Sequence, residues 1–266
     1  MIVVTFTIQG IIAMLKRLLL ILLLLTASAQ AAATDYTDIW FNPAEAGWGV
    51  NVVQSDTFLF LTFFIYGADS KPTWFTGQVT QDSSNNFNGT LYSTIGTYYI
   101  LPWGGFSGGP AGTVSFQPLG PYTAKLIYTV NGVGTVTKNI QRQALTPISI
   151  GGNYTGGLVL AQSQCANSGS GTLTVNIAVN QPLNNVGSVS IGMARADGVT
   201  CNFTGPVIEW GKLYQMSNAS YVCNNGRNTT ANVDELSATA HGIEGTWSAF
   251  VEGGCVETGI FNAVLR

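Results

Sequence analysis

The chain has 266 residues, of which 46% are hydrophobic, 11% aromatic and only 9% charged, and its formal net charge is −3. A soluble domain ordinarily carries about 25% charged residues. The high apolar content excludes a disordered chain, and the slightly acidic balance excludes the basic surface that nucleic-acid binding requires.

The N-terminal segment has the pattern of a secretory signal peptide. Lys16 and Arg17 precede the apolar run 18–25, and an Ala-x-Ala site ends at Ala31. A basic segment, a short apolar core and a small-residue site are typical of a signal that is cleaved on export. The apolar run is shorter than the ~20 residues of a membrane-spanning helix. We therefore expect residues 1–31 to be removed, with Met14 as an alternative start, and the protein to be periplasmic or extracellular.

The remainder of the chain is predicted to be all-β. Apolar and polar residues alternate through 172–179, which is the period of a half-buried strand. Pairs of residues that favour tight hairpins recur along the chain, and we expect a turn at each of Asn88-Gly89, Asn131-Gly132, Asp197-Gly198 and Asn225-Gly226.

The composition divides this β region into two halves. Most aromatic residues precede Thr146-Pro147, whereas all four cysteines follow it. Each half has room for about eight short strands with tight connections. The sequence therefore predicts two antiparallel meander domains, over 36–147 and 148–266, each a β-barrel or a sandwich.

Residues 58–66 are predicted to form a strand that is apolar on both faces. Phe60 and Phe64 lie on one face, and Leu61 and Phe63 lie on the other. A strand of this kind is covered on both sides. We expect one face to fill the domain interior and the other to contact the second domain, a partner subunit or lipid, so a homo-oligomer formed through 58–66 is one prediction.

The cysteines of the second half predict two disulfides, as is common in exported proteins. Its predicted strands are 153–162, 171–180, 186–196, 200–210, 214–223, 228–238, 243–251 and 256–265. A turn at Gly211-Lys212 places Cys201 opposite Cys223, and pairing of the first and last strands places Cys165 beside Cys255. This is one of the three connectivities that four cysteines allow. The paired Cys-x-x-Cys spacing of a zinc site is absent, and we expect no metal or cofactor.

The start of the first half carries a recognisable motif. Residues 36–49 are YTDIWFNPAEAGWG. They resemble the W-[WF]-N-P-x-E-[SA]-G-W-G motif that opens a domain in an uncharacterised family of secreted proteobacterial proteins. The resemblance continues at 66–75, 89–92, 128–133 and 138–143, and so covers about 36–145. It implies export and a β domain but no catalytic residue, and the second half is not recognised.

Aromatic residues give the strongest indication of a binding site. Residues 97–110 are predicted to be a long glycine-rich loop with four aromatic rings, and long loops in compact domains are often functional. Such rings can stack on a sugar or hold an apolar ligand. The alternative, which we favour on sequence, is that the loop folds over the barrel end and plugs its core. The candidate ligand-binding residues are Trp40, Glu45, Trp48, Trp74, Tyr98, Tyr99, Trp103 and Phe106.

The indications of catalysis are weak. Ser107 lies in a G-x-S-x-G sequence, but the single histidine, His241, lies in a predicted turn of the other half. The carboxylates that a glycoside hydrolase would need are candidates by residue type alone, namely Glu45, Asp69, Glu209 and Glu252. We expect Glu45 to accept hydrogen bonds from backbone N–H groups of its turn, and Asp69 to lie in a hairpin turn.

The sequence therefore predicts a non-enzymatic protein that binds a ligand or a cell surface. Its expected partner is an unidentified small molecule or glycan, with no nucleic acid and little membrane contact once the signal is removed. Two alternatives stay open: an outer-membrane β-barrel, because low charge with many aromatic residues also suits lipid-facing strands, and a hydrolase with a carboxylate-based site.

Overall fold

The structure is a computed structural model and describes residues 34–145, 149–166, 168–182 and 188–266, without the side chain of Glu252. The predicted signal peptide and the predicted boundary at Thr146-Pro147 lie outside the described residues. The described residues contain no helix with the length and apolarity needed to cross a membrane. Their regular structure is almost entirely strand, so the all-β prediction is confirmed.

Residues 38–142 form a closed antiparallel barrel, which we call the first barrel. Each strand pairs with its neighbours along the chain, and β1 pairs with β8 to close the ring. The strands are β1 (Asp38–Phe41), β2 (Gly49–Ser55), β3 (Phe58–Tyr66), β4 (Pro72–Gln81), β5 (Phe87–Gly96), β6 (Phe106–Pro118), β7 (Thr123–Val130) and β8 (Gly134–Arg142).

The interior of the first barrel is filled with apolar side chains, as β3 illustrates. Leu61 and Phe63 are fully buried, whereas Phe60 and Phe64 on the other face are exposed. One face of this strand therefore fills the interior as predicted. The described residues of the second half contact the first barrel elsewhere, at Asp38 and Tyr122, and leave this other face exposed.

The described part of 149–266 forms a second closed ring, which we call the second barrel. β9 pairs with β17, and β12 pairs with β14 across the position where the chain turns at 211–212. The strands are β9 (Gly152–Ser163), β10 (Gly169–Asn180), β11 (Ser188–Arg195), β12 (Thr200–Pro206), β13 (Ile208–Trp210), β14 (Leu213–Cys223), β15 (Asn228–Thr239), β16 (Gly242–Val251) and β17 (Cys255–Leu265). The order matches the prediction, with 200–210 divided into β12 and β13.

Two disulfides close one end of the second barrel. Cys201 and Cys223 are direct cross-strand partners in β12 and β14. Cys165 follows β9, and Cys255 begins β17, the strand that pairs with β9. The structure thus contains the pairing that the strand order predicts. Disulfides persist in oxidising compartments, so the two bonds indicate an extracytoplasmic environment.

The predicted turn at Asn88-Gly89 is wrong. Both residues lie inside β5, where Gly89 pairs with Val79 of β4. A Cβ atom on Gly89 would collide with the carbonyl group of Gln78, so glycine here permits a close approach of two strands. The turn forms earlier, at 82–86, where Asn85 adopts the left-handed conformation with φ of 62°.

The ion pair of Asp38 and Arg142 lies where the two barrels meet. Arg142 donates hydrogen bonds to Asp38 Oδ2 over 3.0 Å and to the carbonyl of Pro121 over 2.7 Å. The same oxygen of Asp38 accepts the backbone N–H of Lys212 over 3.1 Å. Gly211, with φ of 60°, lies against this carboxylate, and a Cβ atom there would collide with it. The β13–β14 turn of the second barrel is therefore fixed onto the first barrel.

Tyr122 makes a second contact between the barrels. Its hydroxyl donates to Asp234 over 3.1 Å and accepts the backbone N–H of Glu235 over 2.9 Å, and its ring stacks on Trp210 at 5.5 Å between centroids. Burial, with the nearby carboxylate of Asp234, raises the pKa of the Tyr122 phenol well above its ordinary value. The hydroxyl therefore stays a donor at physiological pH.

These contacts define two ends of the first barrel. In an up-and-down barrel alternate connections lie at the same end. The start of β1 and the β6–β7 connection lie at the end that meets the second barrel, which we call the junction end. The β1–β2, β3–β4, β5–β6 and β7–β8 connections lie at the opposite end, which we call the far end.

Candidate functional site

A β-hairpin projects from the far end of the first barrel. The register of β5 and β6 shifts between Leu91 and Tyr92. The pairing of β4 with β5 extends to Tyr92, and that of β7 with β6 begins at Gly112. Residues 93–109 therefore form a two-stranded ribbon that extends beyond its neighbouring strands, and we call this ribbon the arm.

Hydrogen bonds of Thr97 fix the tip of the arm, residues 97–105. The Thr97 hydroxyl donates to the carbonyl of Gly105 over 2.9 Å and accepts the backbone N–H of Gly104 over 3.0 Å. Leu101 N–H donates to the carbonyl of Tyr98 over 2.9 Å. Gly105 has φ of 103°, a conformation that favours glycine. The tip is thus a closed loop held by its own polar groups.

The arm exposes large apolar side chains. Tyr99 is 86% exposed, Trp103 73% and Phe106 68%. The complete set is Ile95, Tyr98, Tyr99, Ile100, Leu101, Trp103 and Phe106. These exposures contradict the prediction that the segment plugs the barrel. The loop is also shorter than the predicted 97–110, because Phe106 already belongs to β6.

The arm is also uncharged. The sequence contains no charged residue between Asp82 and Lys125, a segment that includes the whole arm. A two-stranded hairpin alone is marginally stable in water, and contiguous exposed apolar patches usually mark interaction surfaces. The arm therefore has the character of a contact surface.

A second aromatic patch lies on the outer face of the first barrel. Phe64 of β3 and Trp74 of β4 are direct cross-strand partners, and both are exposed. Tyr66 continues the patch toward the far end, where its hydroxyl donates to the carbonyl of Gly47 over 3.0 Å. Trp74, a predicted ligand-binding residue, is therefore accessible, although it does not belong to the arm.

Glu45 has different partners from those predicted. Lys138 Nζ lies 2.7 Å from Glu45 Oε2, and the Trp48 indole N–H donates to the same oxygen over 3.0 Å. The carboxylate thus binds two side chains instead of the backbone of its turn. The hydrogen bond from Lys138 lowers the pKa of the Glu45 carboxyl despite partial burial, and Trp48 adds to this effect. A carboxylate held ionised by an ammonium group is a poor general acid.

Trp40 lies in the core instead of a binding site. Its ring is fully buried and packs edge-to-face on Phe116 at 5.1 Å between centroids. The guanidinium of Arg142 lies 5.0 Å from the ring centroid. We therefore exclude Trp40 from the candidate site, to which Tyr98, Tyr99, Trp103 and Phe106 belong.

The remaining catalytic candidates are scattered. Asp69 lies in the β3–β4 turn beside Lys71, as predicted. Ser107 lies in β6, paired with Ile95 of the arm. His241 lies in the β15–β16 turn of the second barrel. Glu209 lies in β13, where burial raises the pKa of its carboxyl, and the side chain of Glu252 is not described.

Sequence reasoning missed a buried carboxylate in the second barrel. Glu257 is fully buried and accepts a hydrogen bond from the Tyr221 hydroxyl over 2.7 Å and one from Gln162 over 2.5 Å. Arg227 forms an ion pair with it at 2.6 Å. The sequence did carry a signal for this burial, because Glu257 has the same parity as Cys255, Gly259 and Phe261 and so lies on the inward face of β17. The carboxylate thus has three polar partners, as is typical of a structural network.

Within the described ranges, no three His, Cys, Asp or Glu side chains are grouped so that they could hold a metal ion. No protein-family model matches the sequence, and no curated protein is significantly similar to it.

Proposed function

We propose that this is a non-enzymatic binding protein of an oxidising, extracytoplasmic compartment, and that the arm is its contact element. One observation carries the proposal: seven large apolar side chains are exposed on a ribbon that lies outside the barrel core. Exposed apolar area of this kind adds nothing to folding, whereas its burial against a partner is favourable by about 25 cal/mol per Å².

Three further features support export. The basic and apolar segment before residue 31 has the form of a signal peptide. The resemblance of residues 36–145 to a secreted proteobacterial family agrees with this location. The two disulfides are compatible with such a compartment.

The side-chain arrangement favours binding over hydrolysis. Glu45 and Asp69 lie in different turns of the first barrel and each is close to a lysine, while His241 lies in the second barrel. A carboxylate-based hydrolase would need two such groups facing each other across a cleft.

The distribution of polarity in the second barrel favours a barrel that faces water. On β10, Ile177 and Val179 point inward and are buried, whereas Thr174 and Asn176 point outward and are exposed. An outer-membrane barrel has the opposite pattern, with an apolar outside and a polar lumen. The outer-membrane alternative is therefore not our proposal.

The test compares the double variant Trp103→Ala/Phe106→Ala with Phe250→Ala, which removes an exposed ring of the second barrel. We expect the free energy of unfolding of both to stay within about 0.5 kcal/mol of the wild type, as for surface substitutions. Binding to three probes is then measured: phosphatidylcholine vesicles, a second copy of the chain and a glycan array.

The double variant is expected to lose binding to at least one probe that the wild type and Phe250→Ala both bind. Unchanged binding to all three probes would reject the arm as the contact element. A large loss of stability in the double variant would show that the arm belongs to the barrel core.

A further inference from the structure

We infer that the partner of the arm is the interfacial region of a lipid bilayer, into which the tip inserts. The inference rests on the proposed function and specifies its partner. It revises the expectation of little membrane contact, because the exposure of the tip is a property of the fold that the sequence did not reveal.

The chemistry of the arm does not suit a sugar. Recognition of hydroxyl groups uses polar side chains with several donors and acceptors, such as carboxylates, amides and guanidinium groups. Residues 89–116 contain none of these. The hydroxyl of Thr97 is already bonded to Gly104 and Gly105, so the aromatic rings lack the carboxylate, amide and guanidinium partners that would orient a sugar.

The arm has aromatic rings of the kind found at the centre of protein interfaces, but it lacks the charged and amide side chains of their polar rim. Protein interfaces make about one hydrogen bond per 100–200 Å² and have a polar rim. The arm lies within the uncharged segment between Asp82 and Lys125, and its exposed area comes largely from rings and aliphatic chains. A lipid surface requires only this apolar area.

The order of side chains along the tip matches a bilayer interface. Ile100 and Leu101 lie at the middle of the tip, with Tyr98 and Tyr99 before them and Trp103 after them. Tyrosine and tryptophan concentrate at the level of lipid headgroups, with aliphatic residues deeper. The tip therefore presents aliphatic residues foremost and amphipathic rings behind them.

The backbone of the arm limits the depth of insertion. In the tip, Leu101 N–H is bonded to Tyr98, and Pro102 has no N–H group. Along 93–96 and 106–109, by contrast, the two strands pair with each other and their outer edges lie beyond the pairing of β4 and β7. Unsatisfied backbone groups are costly in hydrocarbon. Insertion therefore ends at the tip, and the strands stay at the level of water and headgroups.

The rest of the far end can approach a bilayer, because it carries no excess of either charge. The second barrel contacts the junction end, on the opposite side of the first barrel. Both carboxylates of the far-end turns are paired with lysines, Glu45 with Lys138 of β8 and Asp69 with Lys71. We therefore expect binding that is driven by apolar contact, with weak dependence on salt and on anionic lipid.

The experiment measures flotation of the exported chain with vesicles of phosphatidylcholine, with and without phosphatidylglycerol. The variant Ile100→Ser/Leu101→Ser should lower the partition coefficient at least about tenfold, since it removes the two aliphatic side chains that the bilayer would bury. Phe250→Ser, the matched control on the second barrel, should bind as the wild type does. Tryptophan emission should shift to shorter wavelength on binding, and Trp103→Phe should remove most of that shift while the chain still binds.

Three outcomes would overturn the inference. The first is absence of wild-type binding to both kinds of vesicle, and the second is equal loss of binding in Phe250→Ser. The third is a wild-type dimer in sedimentation that Ile100→Ser/Leu101→Ser dissociates, without vesicle binding; this result would identify a second copy as the partner and leave the proposed function intact. If the tip variant changes neither vesicle binding, self-association nor glycan binding, the proposed function fails as well.

Discussion

The two barrels differ in the chemistry of the ends that lie away from their junction. In the first barrel this end extends into the uncharged arm, whose rings are exposed. In the second barrel it carries both disulfides, and Glu257 with Arg227 lies close behind Cys255. Cross-links and satisfied buried charges stabilise a fold, whereas an exposed apolar arm does not. The comparison therefore associates stability with the end of the second barrel and, under our proposal, contact with the end of the first.

The largest effect is expected from the disulfide that closes the second barrel. Cys165 and Cys255 are 90 residues apart in sequence, and Cys201 and Cys223 are 22 apart. Replacing the first pair by serine should lower the free energy of unfolding by about 4–5 kcal/mol and replacing the second pair by about 3 kcal/mol, since the longer loop loses more entropy when cross-linked. Urea denaturation checks both values.

Peptide mapping without reductant is the control for that measurement. It should recover Cys165 linked to Cys255 and Cys201 linked to Cys223. Free thiols or another pairing would contradict the strand order of the second barrel, and with it the contrast between the two ends.

A comparable loss is expected at the junction. Arg142→Ala removes the guanidinium donor from the nearly buried Asp38 carboxylate and from the Pro121 carbonyl, which should cost about 3–5 kcal/mol in unfolding free energy. Lys71→Ala breaks an exposed ion pair with Asp69 and should cost less than about 1 kcal/mol. Similar values for the two variants in thermal or urea unfolding would mean that the junction is not a buried polar contact.

The smallest effect concerns the titration of Glu45 at the far end of the first barrel. Lys138 lowers the pKa of Glu45 in the folded chain below the ordinary value of 4.5. The stabilising contribution is therefore present above pH 4.5 and is lost as the pH falls through the lower, folded value. Lys138→Met should raise the pKa toward 4.5, as measured by the carbon shift of the carboxyl group in NMR.

Lys71→Met is the matched control for the titration, because its ammonium group pairs with Asp69. It should leave the Glu45 midpoint where it is in the wild type. A midpoint that moves in this variant, or one that stays in Lys138→Met, would contradict the contacts assigned to Glu45.

Much of the fold was predictable because it depends on local periodicity. Periodicity and turn residues indicated the strands of the second half, and the cysteine positions favoured pairing of its first and last strands, while a barrel and a sandwich both stayed open. The prediction of a turn at Asn88-Gly89 was wrong because glycine allows either a positive φ in a turn or a close approach between strands. The local sequence does not distinguish these two uses.

The candidate site was less predictable because it depends on distant pairings. Residues 97–110 were identified by composition, but their exposure depends on where β4 and β7 cease to pair with β5 and β6. The burial of Trp40 likewise depends on its pairing with Arg142, far along the chain. No local pattern contains this information.

The contact of Gly211 with Asp38 constrains how such a chain can evolve. The turn reaches the carboxylate through its backbone, and the left-handed conformation and the lack of space both require glycine. Recombination that exchanged either barrel for a relative would have to supply the glycine on one side together with the aspartate and arginine on the other. The two barrels are therefore expected to be inherited together.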